Sequence, residues 1–314
     1  MELPEVEIVI RQRASDMKKI LFLHPGKANL PEISIYKKFF SRYCFVNCQE
    51  LSSYSLSDFD LIWQFMGVDF HFRKSIPTIH EYASLSVGRG NRIKDFMKRW
   101  LNARPSLRIF LNPSIRDAYG FADGVPYCYR DMGVDHRFFE APDPEIMYDF
   151  VYVGAMDAHR KFHHVLDFFA RNPKHRILLI GKPSDDLYDA YKGYTNITFT
   201  GAVPYQDVPR LAKQAQYALN YIPDQYPYSL QTSTKLLEYV AMGMKVVTTS
   251  YHWVNRFEAQ RKMHFYKIRE DFSGFDWNEL NAFSFCNTDI EDLKWEHIVR
   301  NSGLDDALMR LLGE

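Results

Sequence analysis

The chain has 314 residues, 46% of them hydrophobic and 25% charged, and its 39 lysines and arginines balance 39 aspartates and glutamates. That length implies two domains with separate cores, and the zero net charge removes any global pull toward nucleic acid. No apolar run reaches the roughly 20 residues of a membrane span, residues 1–13 lack a secretion-signal pattern, and Cys44, Cys48, Cys128 and Cys286 have neither zinc nor disulfide-framework spacing, so a cytoplasmic protein with reduced thiols is expected.

Lys19 to His24 reads as a first buried strand that ends in the turn His24-Pro25-Gly26-Lys27, with a helical pattern following through Ile35, Phe39 and Phe40. Further strands are expected at Asp60 to Phe65, Ile76 to His80, Arg108 to Leu111 and Val125 to Tyr129. Strands separated by helical stretches argue for a parallel sheet wound on both sides. Pro142 and Pro144 break regular structure and put a boundary near residue 140. The alternation restarts at Phe150 and continues to Thr249, and beyond Asp276 the pattern is helical. The expected architecture is α/β, with two Rossmann-like doubly wound domains facing a cleft. They span residues 1–140 and 141–290, with a helical segment at 291–314. In such sheets ligands bind at the carboxyl ends of the strands.

One helix stands apart. From Asn91 to Asn102, Ile93, Phe96, Met97, Trp100 and Leu101 fall at helical spacing, and residues 89–108 carry seven basic side chains against the single acid Asp95. Two readings stay open: the stripe packs on the sheet with its cations solvated, or the helix lies on an anionic membrane.

The densest signal lies at 229–249, SLQTSTKLLEYVAMGMKVVTT. Gln231, Thr232, Ser233 and Thr234 form a polar turn before a helix running from about Lys235 to Met242. A helix start with free amides is a ready anion site. Glu238 lies four residues past Thr234 and shares its face. A diphosphate at the helix start and a ribose diol at the carboxylate fit that spacing. Gly243 closes the helix, and Lys245 to Thr249 reads as a buried strand.

This pattern resembles the donor-site signature of the GT-B glycosyltransferases, in particular the retaining family four and its capsule and cell-wall relatives. Phe150 to Phe162 (FVYVGAMDAHRKF) resembles the family's strand, glycine turn and basic residue. Ile177 to Gly181 is similar to its next strand and turn, and Thr198 to Ala215 to the strand and helix that follow. The resemblance covers residues 150–249 well and the N-terminal half only loosely. It implies a GT-B fold whose last helix crosses back onto the first domain. It also implies sugar transfer from a nucleotide-diphosphate sugar, as co-substrate, to a glycan or lipid-linked acceptor.

Site residues follow from both lines. Lys161, seven residues beyond Gly154 and next to Arg160, is the candidate cation for charge developing on the leaving oxygen; the alternative is a solvated charge. Gly154, Arg160, Gly181, Gln231, Thr232, Ser233, Thr234, Lys235 and Glu238 form the expected donor site, without a metal or other cofactor. The family carries a second basic residue after the glycine and an acid eight positions before the ribose-binding glutamate; here these are Ala155 and Leu230. His80 reads as a strand-end histidine for the acceptor or transferred sugar, or as a structural residue. Glu81 is the nearest base should the reaction invert. His24, Gly26 and Lys27 line a turn expected on the acceptor side, without the G-x-x-x-x-G-K phosphate pattern. The partners expected are the nucleotide sugar, its acceptor and an inner plasma-membrane surface through residues 91–102, with no nucleic acid. Ala155 and Leu230 support an alternative, a catalytically silent relative that stabilises an active transferase. A nicotinamide dehydrogenase ranks last, because no G-x-G-x-x-G follows a strand.

Overall fold

Two six-stranded sheets, in which every neighbouring pair runs parallel, account for the continuous apolar runs of the sequence. Parallel strands are covered by helices on both faces, so both sides of each strand must be apolar. The computed structural model describes residues 17–24, 30–65, 69, 75–86, 88 and 90–314. The chain divides into two units, Met1–Asp131 with Trp295–Glu314, and Met132–Lys294.

The first unit runs β1 (Lys19–Leu23), α1 (Pro31–Phe39), β2 (Cys44–Asn47), β3 (Leu61–Phe65), β4 (Thr78–Tyr82), α2 (Asn91–Leu101), β5 (Leu107–Phe110), α3 (Pro113–Tyr119) and β6 (Tyr127–Tyr129). Its strands lie in the order β2-β1-β3-β4-β5-β6. The local signals are legible at α3. The Asn112 side chain accepts the Ile115 amide, Pro113 opens the helix and left-handed Gly120 closes it.

The second unit runs α4 (His136–Phe139), β7 (Tyr148–Val153), α5 (His163–Arg171), β8 (Ile177–Ile180), α6 (Asp185–Tyr191), β9 (Ile197–Gly201), α7 (Val208–Ala212) and β10 (Ala215–Asn220). It continues through α8 (Thr234–Ala241), β11 (Lys245–Thr249), α9 (His252–Arg261), β12 (Tyr266–Ile268) and α10 (Trp277–Ala282). The sheet order is β12-β11-β10-β7-β8-β9. Alternate residues feed opposite cores, as the pleat requires. Val151, Val153, Leu178 and Val246 enter one, and Phe150, Tyr152, Leu179 and Val247 the other.

Two helices return to the first unit, α11 (Trp295–Asn301) and α12 (Leu304–Leu312). Lys38 of α1 meets Glu296 at 3.4 Å, Arg42 pairs with Asp305, and the Tyr43 hydroxyl donates to Glu314 at 3.0 Å. The unit boundaries fall at 131/132 and 294/295 rather than 140 and 290. Residues after Asp131 are bound into the second unit. The Val134 amide donates to the Leu293 carbonyl at 2.8 Å, and the Phe138 ring packs 5.3 Å from that of Tyr205.

Strand β4 runs two residues past His80, to Tyr82. Strands β2, β10 and β12 had no expectation of their own. β2 and β12 are short sheet edges of four and three residues, and the alanines of β10 continue the helical pattern before it.

Candidate functional site

In the second unit the first three strands build outward from β7 to β9, and the chain then returns to the other side of β7 to form β10. Carboxyl-end loops diverge where strand order reverses, and a crevice opens there. A cavity of about 230 Å³ occupies this place, walled by the ends of β7 and β10 and the start of α8.

Each wall is fixed by chemistry the sequence carries. Gly154 follows β7 at φ +151°, with its carbonyl so close to Gly181 that a Cβ there would sit 2.2 Å from it. Gly181 itself stands at φ +137°, so an L side chain is excluded twice. The Tyr239 hydroxyl accepts the Val153 amide at 2.8 Å, tying α8 to the end of β7. Ser233 caps α8 by accepting the Leu236 amide at 3.3 Å, and its hydroxyl donates to Asn220 Oδ1 at 2.7 Å. Asn220 in turn donates to Thr248 Oγ1 at 2.9 Å and to the Tyr251 hydroxyl at 3.0 Å. The helix start is therefore moored to β10, β11 and α9.

The cavity is electropositive. First-turn amides have no acceptor within a helix; Ser233 takes that of Leu236, and Thr234 and Lys235, which precede it, line the cavity. Arg160 also lines it, its guanidinium 5.5 Å from the Tyr228 ring centre. Gln231 Nε2, also at the wall, is buried without a hydrogen-bond partner. A buried donor left unmade is costly, and an acceptor entering the cavity would satisfy it.

Of the expected donor residues, the structure brings Gly154, Arg160, Gln231, Thr232, Ser233, Thr234 and Lys235 together at this wall, along with Ala155. Gly181 stands behind it as the partner of Gly154. Lys161, in left-handed conformation at φ 52°, directs its ammonium to Glu270 Oε2 at 2.8 Å, and Glu270 Oε1 accepts the Asp224 amide at 3.0 Å. Glu238, expected at the ribose, is 5% exposed. It accepts from Lys235 at 2.6 Å and from the Tyr205 hydroxyl at 3.1 Å. Burial pushes its carboxyl above the usual range, with Lys235 pulling the other way. Tyr152, Asn220, Tyr221 and Tyr228 belong to the wall as well and were not foreseen; Asn220 sits at a strand end that helical patterning concealed.

The acceptor-side expectations fare differently. His80 lies inside β4, fully buried, with Nε2 3.3 Å from Asp69 Oδ2. It is not a strand-end residue open to a substrate, because Glu81 and Tyr82 extend the strand beyond it. Glu81 is not an available base. It is 1% exposed, takes the Trp63 indole N–H at 2.8 Å and the Tyr36 hydroxyl at 3.2 Å, and pairs with Arg130. Arg130 also meets Glu32 at 3.1 Å, completing a buried ionic cluster. His24 directly follows β1, its ring edge-on to Phe65 and its carbonyl accepting from Cys48 Sγ at 3.4 Å. Gly26 and Lys27 lie outside the described residues.

A larger hollow of about 580 Å³ runs beside the edge strand β12. It shares no lining residue with the cavity at the strand-order reversal, and the Lys267–Glu258 pair, 3.0 Å apart, lines it.

Residues 148–262 match the family model described as glycosyl transferases group 1, a span inside the second unit. Solved structures extend the likeness to both units. HepE from Anabaena, solved with UDP and glucose, has a TM-score of 0.58 at 14% identity, over 94% of this chain and 95% of that one. Sucrose-phosphate synthase from Thermosynechococcus elongatus scores 0.61 at 13% identity, over 97% and 94%.

The chain has the GT-B fold.

T4 phage BGT, solved with UDP-glucose, scores 0.53 at 13% identity, over 94% and 99%. No curated protein matches in sequence. Within the GT-B frame the second unit resembles the group 1 glycosyl transferases, and the cavity at β7 and β10 lies inside the matched span.

Proposed function

We propose that the protein is a cytoplasmic glycosyltransferase of polysaccharide synthesis. It moves a hexosyl group from a nucleotide-diphosphate sugar to a glycan or lipid-linked acceptor, with retention at the anomeric carbon. One observation carries the reading. The start of α8, the Arg160 guanidinium and the unpartnered Gln231 amide nitrogen converge on one cavity of about 230 Å³. A diphosphate satisfies all three through charge-assisted hydrogen bonds. HepE and T4 phage BGT, which carry UDP and UDP-glucose in their structures, support a uridine nucleotide as the first to test.

In this reading the diphosphate lies against Thr234 and Lys235, and Arg160 holds its flank. As the bond from sugar to phosphate breaks, charge gathers on the phosphate oxygen, and a positioned cation lowers the barrier. Lys161 takes that part on leaving Glu270. The cations and the helix start together do the work that a divalent ion does in other transferases. Glu238 receives the ribose diol once Lys235 turns to phosphate. Retention needs no protein base at the acceptor, so the engagement of Glu81 with Arg130 is no obstacle.

A thermal-shift panel of UDP, GDP, ADP, CMP and their sugars, followed by donor hydrolysis, tests the reading. Stabilisation by one diphosphate series and slow hydrolysis of its sugar are expected. No shift and no hydrolysis would overturn the proposal in favour of a silent relative that stabilises an active transferase.

A further inference from the structure

Helix α2 is mounted with its polar side inward. Asp95, 4% exposed, accepts the Ser86 amide at 3.0 and 3.3 Å through its two oxygens, and Lys98 lies 3.9 Å away. Asn102, just past the helix, accepts the Asp69 amide at 2.9 Å. The apolar stripe faces solvent instead. Ile93, Phe96, Met97, Trp100 and Leu101 are 66, 59, 47, 65 and 43% exposed. Scattered apolar side chains on a surface are ordinary, but a contiguous stripe marks a surface that meets something.

We propose that α2 docks flat on an anionic lipid bilayer. The charge around the stripe selects this occupant. Among the helix's own charges, the acid Asp95 and its neighbour Lys98 face inward, which leaves the outward charge basic on a chain of zero net charge. Arg92, Lys94 and Arg99 accompany the stripe along the helix, and the Arg99 guanidinium lies 5.5 Å from the Trp100 ring centre. A second copy presenting the same stripe would bring these cations against their own kind. An anionic bilayer supplies an apolar layer for the stripe and negative headgroups for its rim. The Phe96 and Trp100 rings, with centres 6.0 Å apart, suit the boundary between them, where aromatic rings concentrate. Among the described residues no helix is long and apolar enough to cross a membrane, so the contact is peripheral. The inference stands on α2 and does not depend on an active donor site.

Flotation of the full chain with phosphatidylcholine vesicles, and with vesicles that also contain phosphatidylglycerol, tests it. Binding only to the anionic vesicles, and its loss at high salt, are expected. A Phe96→Ser/Trp100→Ser variant and an Arg92→Gln/Lys94→Gln variant should each bind about tenfold more weakly or worse. Both should keep the wild-type melting curve, because the altered side chains are all exposed. Absence of flotation with anionic vesicles, or undiminished flotation of both variants, would overturn the proposal. So would a dimer in sedimentation velocity that Phe96→Ser/Trp100→Ser dissociates, which would assign the stripe to a second copy.

Discussion

The hydroxyl of Tyr239 accepts the backbone amide of Val153 across 86 residues of sequence, at 2.8 Å. This bond joins the strand that delivers Gly154 to the helix that delivers Thr234 and Lys235. Tyr239 is fully buried, and burial pushes its phenol well above the ordinary range, so it stays protonated at any working pH. Tyr239→Phe leaves the Val153 amide buried without an acceptor. The expected loss is about 1–3 kcal/mol in urea unfolding, with weaker nucleotide-diphosphate binding. Unchanged stability would mean that another acceptor takes over.

Gly181 makes a sharper case. A Cβ at this position meets the Gly154 carbonyl at 2.2 Å, and the backbone is left-handed. Gly181→Ala should cost about 1–3 kcal/mol from backbone strain alone, and more from displacement of Gly154. Gly193→Ala is the control, since nothing lies within 4 Å of its would-be Cβ. Thermal melts should separate the two variants, and nucleotide binding should fall only in the first.

Most of the frame was legible in the residues. β8, with ILLI fully buried, and β11, KVVTT, fall where their apolar runs lie, because central parallel strands must be apolar on both faces. The polar turn at Gln231–Thr234 marks the helix start, because capping needs a hydroxyl or carboxamide there. What escaped was decided by tertiary partners. Glu81 read as a candidate base and His80 as either a substrate contact or a structural residue; Arg130, 49 residues from Glu81, and Asp69 are the partners that hold them inside. Lys161 and Arg160 are adjacent in sequence, and only the left-handed backbone at Lys161 turns one to Glu270 and leaves the other at the cavity. No local pattern encodes that choice.

That divergence gives the two cations separable signatures. Arg160→Met removes a charge from the cavity wall and should weaken nucleotide-diphosphate binding by about tenfold, the effect of losing one charge-assisted hydrogen bond. Lys161→Ala should lower turnover more than affinity, since it acts on charge that develops only in the transition state. Glu270→Gln frees the Lys161 ammonium from its partner and should leave the fold intact. Calorimetry with the diphosphate and initial rates of donor hydrolysis distinguish these outcomes. Equal losses of rate and affinity in Lys161→Ala would recast it as a simple binding residue.

Glu81 offers the converse test, a residue with the look of a base and the surroundings of a strut. Glu81→Gln removes one of the carboxylate charges that face Arg130 in a buried site, with Glu32 at 3.1 Å retained. Breaking a buried ion pair in this way costs about 3–5 kcal/mol, measurable in urea. Turnover per folded molecule should hold. A collapse in turnover at unchanged stability would mark Glu81 as chemically engaged.

The acid limit of the first unit should be set in part by Asp123. Arg108 grips its two oxygens at 2.6 and 2.7 Å, and that guanidinium is the leading cause holding the carboxyl down, from 3.8 to about 2. A carboxylate depressed on folding binds fewer protons in the native than in the unfolded chain, so its contribution is present in full above the unfolded value. It fades as pH falls from about 4 toward about 2, where the native carboxyl also protonates. Asp123 is 38% exposed in its side chain, so solvent screening keeps the effect modest. Asp123→Asn should lower the melting temperature at neutral pH and flatten its fall across that window. A variant whose acid profile parallels the wild type would assign the acid limit to other carboxylates.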